Sequence, residues 1–207
     1  MSRYFVYGEK ELGHLRRNDP ILGSAIDRIG MITRAVEPDF FTSITRSIIG
    51  QQISTKAQNS IFERLNEMVG TLVPTTIVDR SIEELQSVGM TFRKAEYIQG
   101  IAYKMVSGEL DPASFSALSD SEVIEELVKL KGIGVWTAEM ILIFCLQRHD
   151  VVSYGDLAII RGMKMLYGLE TITKKEFDAI RSRFSPYGSI ASLYIWAVAG
   201  GRLPPLD

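Results

Sequence analysis

Cysteine and histidine are scarce in this sequence, which has one cysteine, Cys145, and two histidines among 207 residues. A single cysteine excludes an internal disulfide, an iron–sulfur cluster held by four thiolates and a cysteine-rich zinc site. The histidines, His14 and His149, are isolated in the sequence and form no cluster of metal ligands. We therefore expect the protein to require no cofactor.

An excess of positive charge and long hydrophobic runs are also absent. The 23 Lys and Arg residues are balanced by 25 Asp and Glu residues, with a net charge of -2 and a pI near 5.8. This excludes binding to nucleic acid through bulk positive charge, so any contact with a polyanion must be local. The apolar run 141–146 is far shorter than the roughly 18–20 residues that cross a bilayer, and the first residues lack a signal-peptide core. We expect a cytoplasmic protein that makes no contact with a membrane.

Helical periodicity runs through most of the chain. Phe41, Ile44 and Ile48 fall three or four residues apart and therefore share one helix face. The capping-box spacing that marks a helix start occurs at Ser81–Glu84 and again at Ser119–Glu122. Helices are predicted at about 41–49, 61–68, 81–88, 91–108, 119–132, 135–147, 156–167, 174–184 and 189–199. Because no convincing β-hairpin separates them, the sequence predicts an all-α fold.

The most informative segment is a Gly-x-Gly turn, Gly132-Ile133-Gly134, with an apolar helix on each side. One glycine permits a positive φ and the other lets a ligand approach the backbone closely. The amides of 132–136 lie at a helix N-terminus, where they can hold an anion without any net positive charge. The segment is therefore interpreted as a phosphate clamp, with an ordinary glycine-rich connection between packed helices as the alternative.

Asp156 directly precedes an apolar helical pattern, so its ordinary role is that of an N-cap that accepts a first-turn amide. A carboxylate held rigidly at that place can also stabilise a cation that develops in front of it. The two roles are compatible, and the pattern by itself leaves both open.

The two tryptophans and a polar break are further candidates. Trp136 and Trp196 are the only tryptophans. An indole serves either in a core, which is the default, or in stacking against a flat or cationic ligand. Gln51 and Gln52 interrupt the chain directly after an apolar helix, a pattern typical of a solvated loop.

Taken together, five segments resemble the helix-hairpin-helix DNA glycosylase superfamily, and most closely its 3-methyladenine DNA glycosylase II branch. The resemblance spans about Phe40 to Gly200. The segments that carry it are Ile48–Ser54, Gly89–Ala95, Leu130–Ala138, Gly155–Asp156 and Pro186–Trp196. A lone Gly-x-Gly hairpin is a weak signal, but five segments in the right order, with the aspartate about twenty residues after the hairpin, are a specific one.

The resemblance implies an all-α, two-lobed fold with a DNA-binding cleft between the lobes. A central helical lobe, 41–148, would contain the helix-hairpin-helix at about 121–147. Both chain ends, 1–40 and 149–207, would form the second lobe. Longer members of the branch have an N-terminal β domain, whereas only about forty residues precede the core here, so a compact form is implied.

The resemblance also implies roles for single residues. Asp156 matches the catalytic aspartate of the family. Trp136 and Trp196 match aromatic positions that line the pocket for the flipped base. Gln52 matches the side chain that wedges into the gap left in the duplex.

At the hairpin the resemblance implies two kinds of contact. DNA would be bound by Gly132, Gly134 and Thr137. The main-chain carbonyls of Val128, Leu130 and Ile133 would hold a monovalent cation, sodium or potassium.

The sequence departs from some members of the family in informative ways. Bifunctional members carry a lysine at the position of Trp136, and that lysine forms a Schiff base with the sugar; Lys131 lies elsewhere in the hairpin. The endonuclease III and adenine-mismatch branches usually hold an iron–sulfur cluster, which Cys145 alone cannot supply. These departures imply an enzyme without lyase activity and without a cluster.

The function implied is a monofunctional DNA glycosylase of base excision repair. It would flip out N-alkylated purines of the 3-methyladenine type and release them hydrolytically, leaving an abasic site. It would act as a monomer on double-stranded DNA that contains damaged bases, associated with the nucleoid in a bacterium or archaeon. Two alternatives stay open: a glycosylase for oxidised or deaminated purines, and a non-catalytic helix-hairpin-helix DNA-binding protein, which would not need Asp156.

Overall fold

The computed structural model describes residues 4–202, which form twelve α-helices and one 3-10 helix. The α-helices are α1 (Glu9–Asn18), α2 (Pro20–Ile29), α3 (Phe40–Gly50), α4 (Thr55–Val69), α5 (Pro74–Val78), α6 (Ile82–Ser87), α7 (Phe92–Val106), α8 (Asp120–Val128), α9 (Val135–Phe144), α10 (Leu157–Tyr167), α11 (Lys174–Arg181) and α12 (Gly188–Ala199), and the 3-10 helix is Pro112–Ala117. Within these residues the only β-type pairing is an isolated bridge between Tyr4 and Ala35. The prediction of an all-α fold is confirmed. None of the helices in the described range has the length and apolar character needed to span a bilayer.

Both predicted capping boxes are present at helix starts. The hydroxyl of Ser81 accepts a hydrogen bond from the amide of Glu84 at 3.1 Å, and the carboxylate of Glu84 accepts one from the amide of Ser81 at 2.7 Å. Ser119 and Glu122 make the same reciprocal pair at the start of α8. Two orphan donors are satisfied at each helix start, which explains why α6 and α8 begin where the pattern predicted.

The helices on either side of the Gly-x-Gly turn are shorter than predicted. The first ends at Val128 rather than Gly132, because Lys129 and Leu130 donate to the carbonyls three residues before them and tighten the last turn. The second ends at Phe144 rather than Gln147. Gln147 itself has a positive φ of 52°, which does not occur within a right-handed helix. Helices α1, α2 and α5 and the 3-10 helix were not predicted from the sequence.

The chain divides into two compact units. One unit is Glu37–Ile141, and the other joins the beginning of the chain up to Val36 to the segment from Leu142 onward. The resemblance implied boundaries at about 41 and 148. In the structure the second boundary falls inside α9, so one continuous helix belongs to both units.

The unit Glu37–Ile141 is built around α3 and α7. Helix α3 packs against α4 and α7, and α7 also packs against α5 and α6. The buried faces follow the helical spacing of the apolar residues, as expected for amphipathic helices. The core of this unit includes Phe41, Ile44, Ile48, Leu65, Leu85, Ile98 and Val123.

The other unit is built around α10 and α12, which pack against each other, and α2 packs against both. Asp19 is buried at the start of α2, where its carboxylate caps the helix by accepting the amide of Leu22 at 2.9 Å. Its second oxygen accepts the hydroxyl of Tyr167 at 2.8 Å and the guanidinium of Arg183 at 3.3 Å. A buried carboxylate is thus fully paired, and it ties α2 to the end of α10.

Candidate DNA-binding surface and active site

The Gly-x-Gly turn forms a compact reversal between α8 and α9. The amide of Ile133 donates to the carbonyl of Leu130 at 3.1 Å, and the carbonyl of Gly134 accepts the first helical hydrogen bond of α9, from Ala138, at 3.0 Å. The amides of 135–137 therefore belong to the first helical turn, where donors lack intrahelical partners and the helix dipole is positive. This end of α9 has the backbone geometry of an anion-binding site.

Glycine serves a different purpose at each of the two glycine positions of the turn. Gly132 takes a φ of +88°, and a Cβ at this residue would lie 2.3 Å from the ring of Tyr97. Gly134 is exposed and has no heavy atom within 4 Å of the place a Cβ would occupy. Gly132 is therefore required by the fold, whereas the missing side chain at Gly134 leaves the backbone open to a ligand from outside.

Thr137, predicted to bind DNA, is buried with 7% of its surface exposed. Only a small part of its surface is therefore available to a ligand. Because Thr137 is in the first turn of α9, its backbone amide is the part that belongs to the anion-binding end of the helix.

Gln52 lies at the tip of a tight turn between α3 and α4. The amide of Ile53 donates to the carbonyl of Gly50 at 3.4 Å, Gln51 has φ −58° and ψ 126°, and Gln52 has φ +58°. These angles fit a type II turn, in which the third position normally requires glycine. Gln52 is exposed and bears this backbone strain with a long side chain in place, an arrangement that is enriched at functional sites.

This turn is attached to the hairpin and to α7 by side chains. The amide nitrogen Nε2 of Gln51 donates to the carbonyl of Gly132 at 2.8 Å. The ammonium group of Lys94, in α7, donates to the carbonyls of Ile49 at 2.8 Å and Gln51 at 2.7 Å. The structure therefore brings together two of the predicted DNA-binding elements, the turn of Gln52 and the Gly-x-Gly hairpin.

Asp156 is the N-cap of α10, as its sequence pattern predicted. One carboxylate oxygen, Oδ1, accepts the amides of Ala158 at 2.8 Å and Ile159 at 3.0 Å. Only 8% of the residue is exposed. A carboxylate is thus fixed at the positive end of a helix with little freedom to rotate, which is the geometry of a preorganised electrostatic group.

The two tryptophans have different surroundings. Trp196, in α12, is half-buried and stacks on Phe144 with ring centroids 5.6 Å apart. The guanidinium of Arg34 lies 4.7 Å from the centroid of the same Phe144 ring. Trp136 is 48% exposed in the first turn of α9. Neither tryptophan is a fully buried core residue, so both retain surface that can contact a ligand.

The carbonyls predicted to hold a cation belong to the last residue of α8, Val128, and to two residues of the turn that follows it, Leu130 and Ile133. Val128 is the last residue of that helix, and helix C-termini carry partial negative charge that favours cations. The carbonyl of Leu130 already accepts the amide of Ile133, which leaves one lone pair for a further partner. The chemistry of these carbonyls fits a monovalent cation.

The predicted residues are distributed over both units. Gln52, Trp136 and the hairpin lie in Glu37–Ile141, whereas Asp156 and Trp196 lie in the other unit, on the adjacent helices α10 and α12.

Sequence reasoning missed Lys94, Tyr97, Phe144 and Arg34, and it treated Gln51 only as part of a loop. Lys94 lies inside one of the segments that carried the resemblance, but the partners of its side chain are 43 and 45 residues away in the chain. No local spacing signals such contacts.

Comparison with known proteins identifies the family to which this chain is similar. A family model described as "HhH-GPD superfamily base excision DNA repair protein" matches residues 45–186. DNA-3-methyladenine glycosylase 1 of Schizosaccharomyces pombe is 35% identical over 162 residues, which cover 75% of this chain and 71% of the relative.

Two solved structures share the fold over nearly the whole chain. The crystal structure of a DNA-3-methyladenine glycosidase from Bacillus halodurans has a TM-score of 0.87 and 36% identity, and covers 96% of this chain and 93% of its own. The 3-methyladenine DNA glycosylase of S. pombe in complex with abasic DNA has a TM-score of 0.77 and 31% identity, with 91% and 95% coverage.

Proposed function

Because this chain belongs to the HhH-GPD superfamily of base excision DNA repair proteins, we propose that it is a monofunctional DNA glycosylase that releases N-alkylated purines from duplex DNA. The relatives named above are DNA-3-methyladenine glycosylases, which supports a substrate of the 3-methyladenine type. The observation that carries the proposal is Asp156, a nearly buried carboxylate locked by two amides at the start of α10.

Asp156 supplies what the reaction needs from the protein. Cleavage of the glycosidic bond passes through a sugar with oxocarbenium character, so an anion held near the anomeric carbon stabilises the transition state. The two amides hold the Asp156 carboxylate in place before the reaction, so it need not reorganise as positive charge develops. The same carboxylate can orient or deprotonate the water that attacks the sugar.

The hairpin and the Gln52 turn would prepare the substrate. The first-turn amides of α9 would hold a backbone phosphate, and Gly134 would let that phosphate approach closely. The target nucleotide must leave the duplex stack, which costs a few kcal/mol and costs least where pairing is already weakened. The exposed side chain of Gln52 would fill the vacated space.

The aromatic side chains suit an electron-poor base. An N-alkylated purine carries a formal positive charge, and an indole face attracts a cation by roughly 0.5–2 kcal/mol. Trp196 and Trp136 both have exposed ring surface for this contact. The positive charge also makes the base a good leaving group, so this substrate class needs no strong general acid.

The absence of lyase activity is part of the proposal. Trp136 stands where bifunctional members of the family carry the lysine that forms a Schiff base, and an indole cannot form one. Borohydride treatment during turnover should therefore trap no covalent enzyme–DNA complex. A trapped complex that persists in Asp156→Asn would contradict the assignment.

Further properties belong to the same proposal. The enzyme would act as a monomer and require no cofactor. The main-chain carbonyls of Val128, Leu130 and Ile133 would hold a sodium or potassium ion at the hairpin. It would work in the cytoplasm, on the nucleoid in a bacterium or archaeon.

The decisive experiment is base release by the wild type and by Asp156→Asn. We expect the wild type to release free base from a duplex that carries 3-methyladenine, and Asp156→Asn to bind the same duplex with unchanged affinity but release no base. Asparagine can still accept the two amides, so the fold should be retained. Equal release by both proteins would refute the catalytic role, and no release by the wild type on any lesion would favour a non-catalytic DNA-binding protein.

One observation favours a second candidate, a glycosylase for deaminated purines. Arg34 places a positive charge against Phe144, the ring on which Trp196 stacks. A guanidinium at that place opposes a cationic base and tolerates a neutral one. Single-turnover release of hypoxanthine compared with 3-methyladenine separates the two, and the main proposal requires the larger rate on 3-methyladenine.

A further inference from the structure

The turn that carries Gln52 is held by one half-buried cation, the side chain of Lys94. The ammonium group of Lys94 donates to the carbonyl of Ile49, near the end of α3, and to the carbonyl of Gln51, in the turn itself. Lys94 is half-buried, and burial lowers its pKa below the usual value. The group is desolvated in order to make these two contacts, which indicates a specific position rather than a surface lysine that happens to lie nearby.

The same turn is also attached to the hairpin through one of its own residues, Gln51. Gln51 directs its side chain to the carbonyl of Gly132, which is 81 residues away in the chain. Its backbone amide donates to the carbonyl of Ile48 at 3.3 Å, and its backbone carbonyl accepts Lys94. Every one of these groups of Gln51 is directed to the protein, whereas Gln52 next to it is exposed at a positive φ.

Helix capping alone explains only part of this arrangement. A cation at the end of a helix stabilises it, and the bond from Lys94 to Ile49 serves the C-terminus of α3 in this way. The neutral side chain of Gln58 also donates a hydrogen bond to a carbonyl of this helix, that of Arg46, at 2.7 Å. The carbonyl of Gln51, the C-cap residue of α3, also belongs to this helix end. Capping does not require the bond from the side chain of Gln51 to the hairpin.

We propose that Lys94 and Gln51 are positioning residues that hold the Gln52 wedge at a fixed place relative to the phosphate-binding hairpin. This inference rests on the proposed function, since it concerns how that enzyme extrudes a nucleotide. Lys94 keeps the strained turn from relaxing, and Gln51 joins the turn to Gly132, the first residue of the hairpin. When the hairpin binds a phosphate, Gln52 is then already oriented toward the duplex, and its insertion requires little further ordering.

A double-mutant cycle with Gln52 tests this inference. Lys94→Met removes the ammonium group that makes both hydrogen bonds and keeps most of the stem, and Lys94→Arg keeps donors for two carbonyls. We expect Lys94→Met to slow single-turnover release from a 3-methyladenine duplex by about tenfold or more when enzyme saturates DNA. In a Gln52→Ala background the same change should cost less than about twofold, because there is no wedge left to place. Lys94→Arg should recover most of the rate.

Three further measurements separate positioning from stability. Gln58→Met removes another hydrogen bond to the end of α3 without touching the turn–hairpin contacts, so it serves as the matched control and should leave release unchanged. Affinity for undamaged duplex should remain close to wild type in Lys94→Met, because the hairpin amides are intact. Gln51→Leu should reproduce the loss of Lys94→Met, again only when Gln52 is present.

The outcomes distinguish this inference from the proposed function. An equal loss from Lys94→Met with and without Gln52, or an equal loss in Gln58→Met, would overturn the positioning role. If Gln52→Ala releases base at the wild-type rate, Gln52 does not act as a wedge and the inference fails with it. If the wild type releases no base, the proposed function fails, and the fluorescence of 2-aminopurine extruded from a duplex then measures the same cycle without catalysis.

Discussion

A Cβ on Gly162 would lie 2.3 Å from the carbonyl oxygen of Ile195, so α10 and α12 are in direct backbone contact at this point. Asp156 caps the first of these helices and Trp196 follows Ile195 in the second. The close contact thus connects the helix that positions the carboxylate to the helix that carries the indole. Only glycine permits it, because a backbone oxygen cannot move away as the end of a flexible side chain can.

The first prediction concerns this contact. Gly162→Ala should lower the free energy of unfolding by about 1–3 kcal/mol, the usual cost of overpacking, and should reduce base release because the two helices must separate. Thermal melting and single-turnover release measure the two effects. Gly100→Ala is the matched control: Gly100 also lies within a helix but has no atom within 4 Å of a Cβ, so this change should raise stability by up to about 1 kcal/mol. If both variants melt alike, the packing argument is wrong.

The second prediction concerns the hairpin. Gly134→Asp adds a side chain where the backbone is open and puts a carboxylate beside the bound phosphate. Affinity should fall by about tenfold or more for damaged and undamaged duplexes alike, because a hydrogen bond to a charged group contributes about 1.5–3 kcal/mol. The melting temperature should stay unchanged, since a Cβ at Gly134 meets no atom of the protein. A loss limited to damaged DNA would mean that the hairpin is not the phosphate clamp.

The third prediction separates the backbone of Gln52 from its side chain. Gln52→Gly relieves a positive φ that costs a non-glycine residue about 1–2 kcal/mol, and this gain is offset by about 0.5–1 kcal/mol of chain entropy. Stability should therefore be unchanged or slightly higher, while release from duplex DNA falls with the loss of the wedge. Gln52→Ala keeps the strain and should lose the same activity. A fully active Gln52→Gly would show that the strained side chain has no part in extrusion.

Sequence reasoning succeeded where the determinant is local. The starts of α6 and α8 follow from a serine and a glutamate three residues apart, since the two hydrogen bonds of a capping box close within one turn. Asp156 was placed correctly as an N-cap for the same reason. The hairpin glycines were assigned their two different uses, a positive φ and an open backbone, and the structure gives the first to Gly132 and the second to Gly134.

Contacts between segments that are distant in the chain could not be predicted from the sequence. Nothing near Lys94 in the sequence indicates that it will reach the carbonyl of Gln51, because the packing of α7 against α3 brings them together. The stacking of Trp196 on Phe144 likewise depends on tertiary packing. The positive φ of Gln52 was unpredictable for the opposite reason: turn statistics place glycine there, and the observed residue violates that local rule.

The fourth prediction concerns alkaline pH. Burial, together with the charge of Asp19, raises the pKa of Tyr167 above its usual value, and burial does the same for Tyr194. Above about pH 10 these tyrosines lose protons in the unfolded chain but keep them in the folded one. Their contribution to stability is therefore complete below about pH 10 and is lost as the pH rises further.

Tyr167→Phe tests the sign of this effect. At pH 7 it should lower the free energy of unfolding by about 1–3 kcal/mol, because buried Asp19 loses a hydrogen-bond donor. Above about pH 10 its melting temperature should fall less steeply than that of the wild type, because Tyr167 no longer contributes to the alkaline loss and Tyr194 still does. Melting curves between pH 7 and 11 measure both effects. A steeper alkaline loss in the variant would contradict the assignment.

The last prediction separates stacking on a ligand from core packing at Trp196. The residue is half-buried and contacts Phe144 on one face, so Trp196→Ala should cost less than the roughly 3–5 kcal/mol expected for emptying an aromatic core site. Base release should fall more than stability, and the loss should be larger for cationic 3-methyladenine than for neutral hypoxanthine, because only the cation gains the attraction of the indole face.

Arg34→Gln is the complementary variant: removing its charge should raise the rate on the cationic base and leave the rate on the neutral base unchanged. Single-turnover release on both substrates, with melting curves of all three proteins, provides the test. Equal losses on the two bases would remove the cation–π argument and leave stacking, whereas a collapsed melting temperature with unchanged release would assign Trp196 to the core.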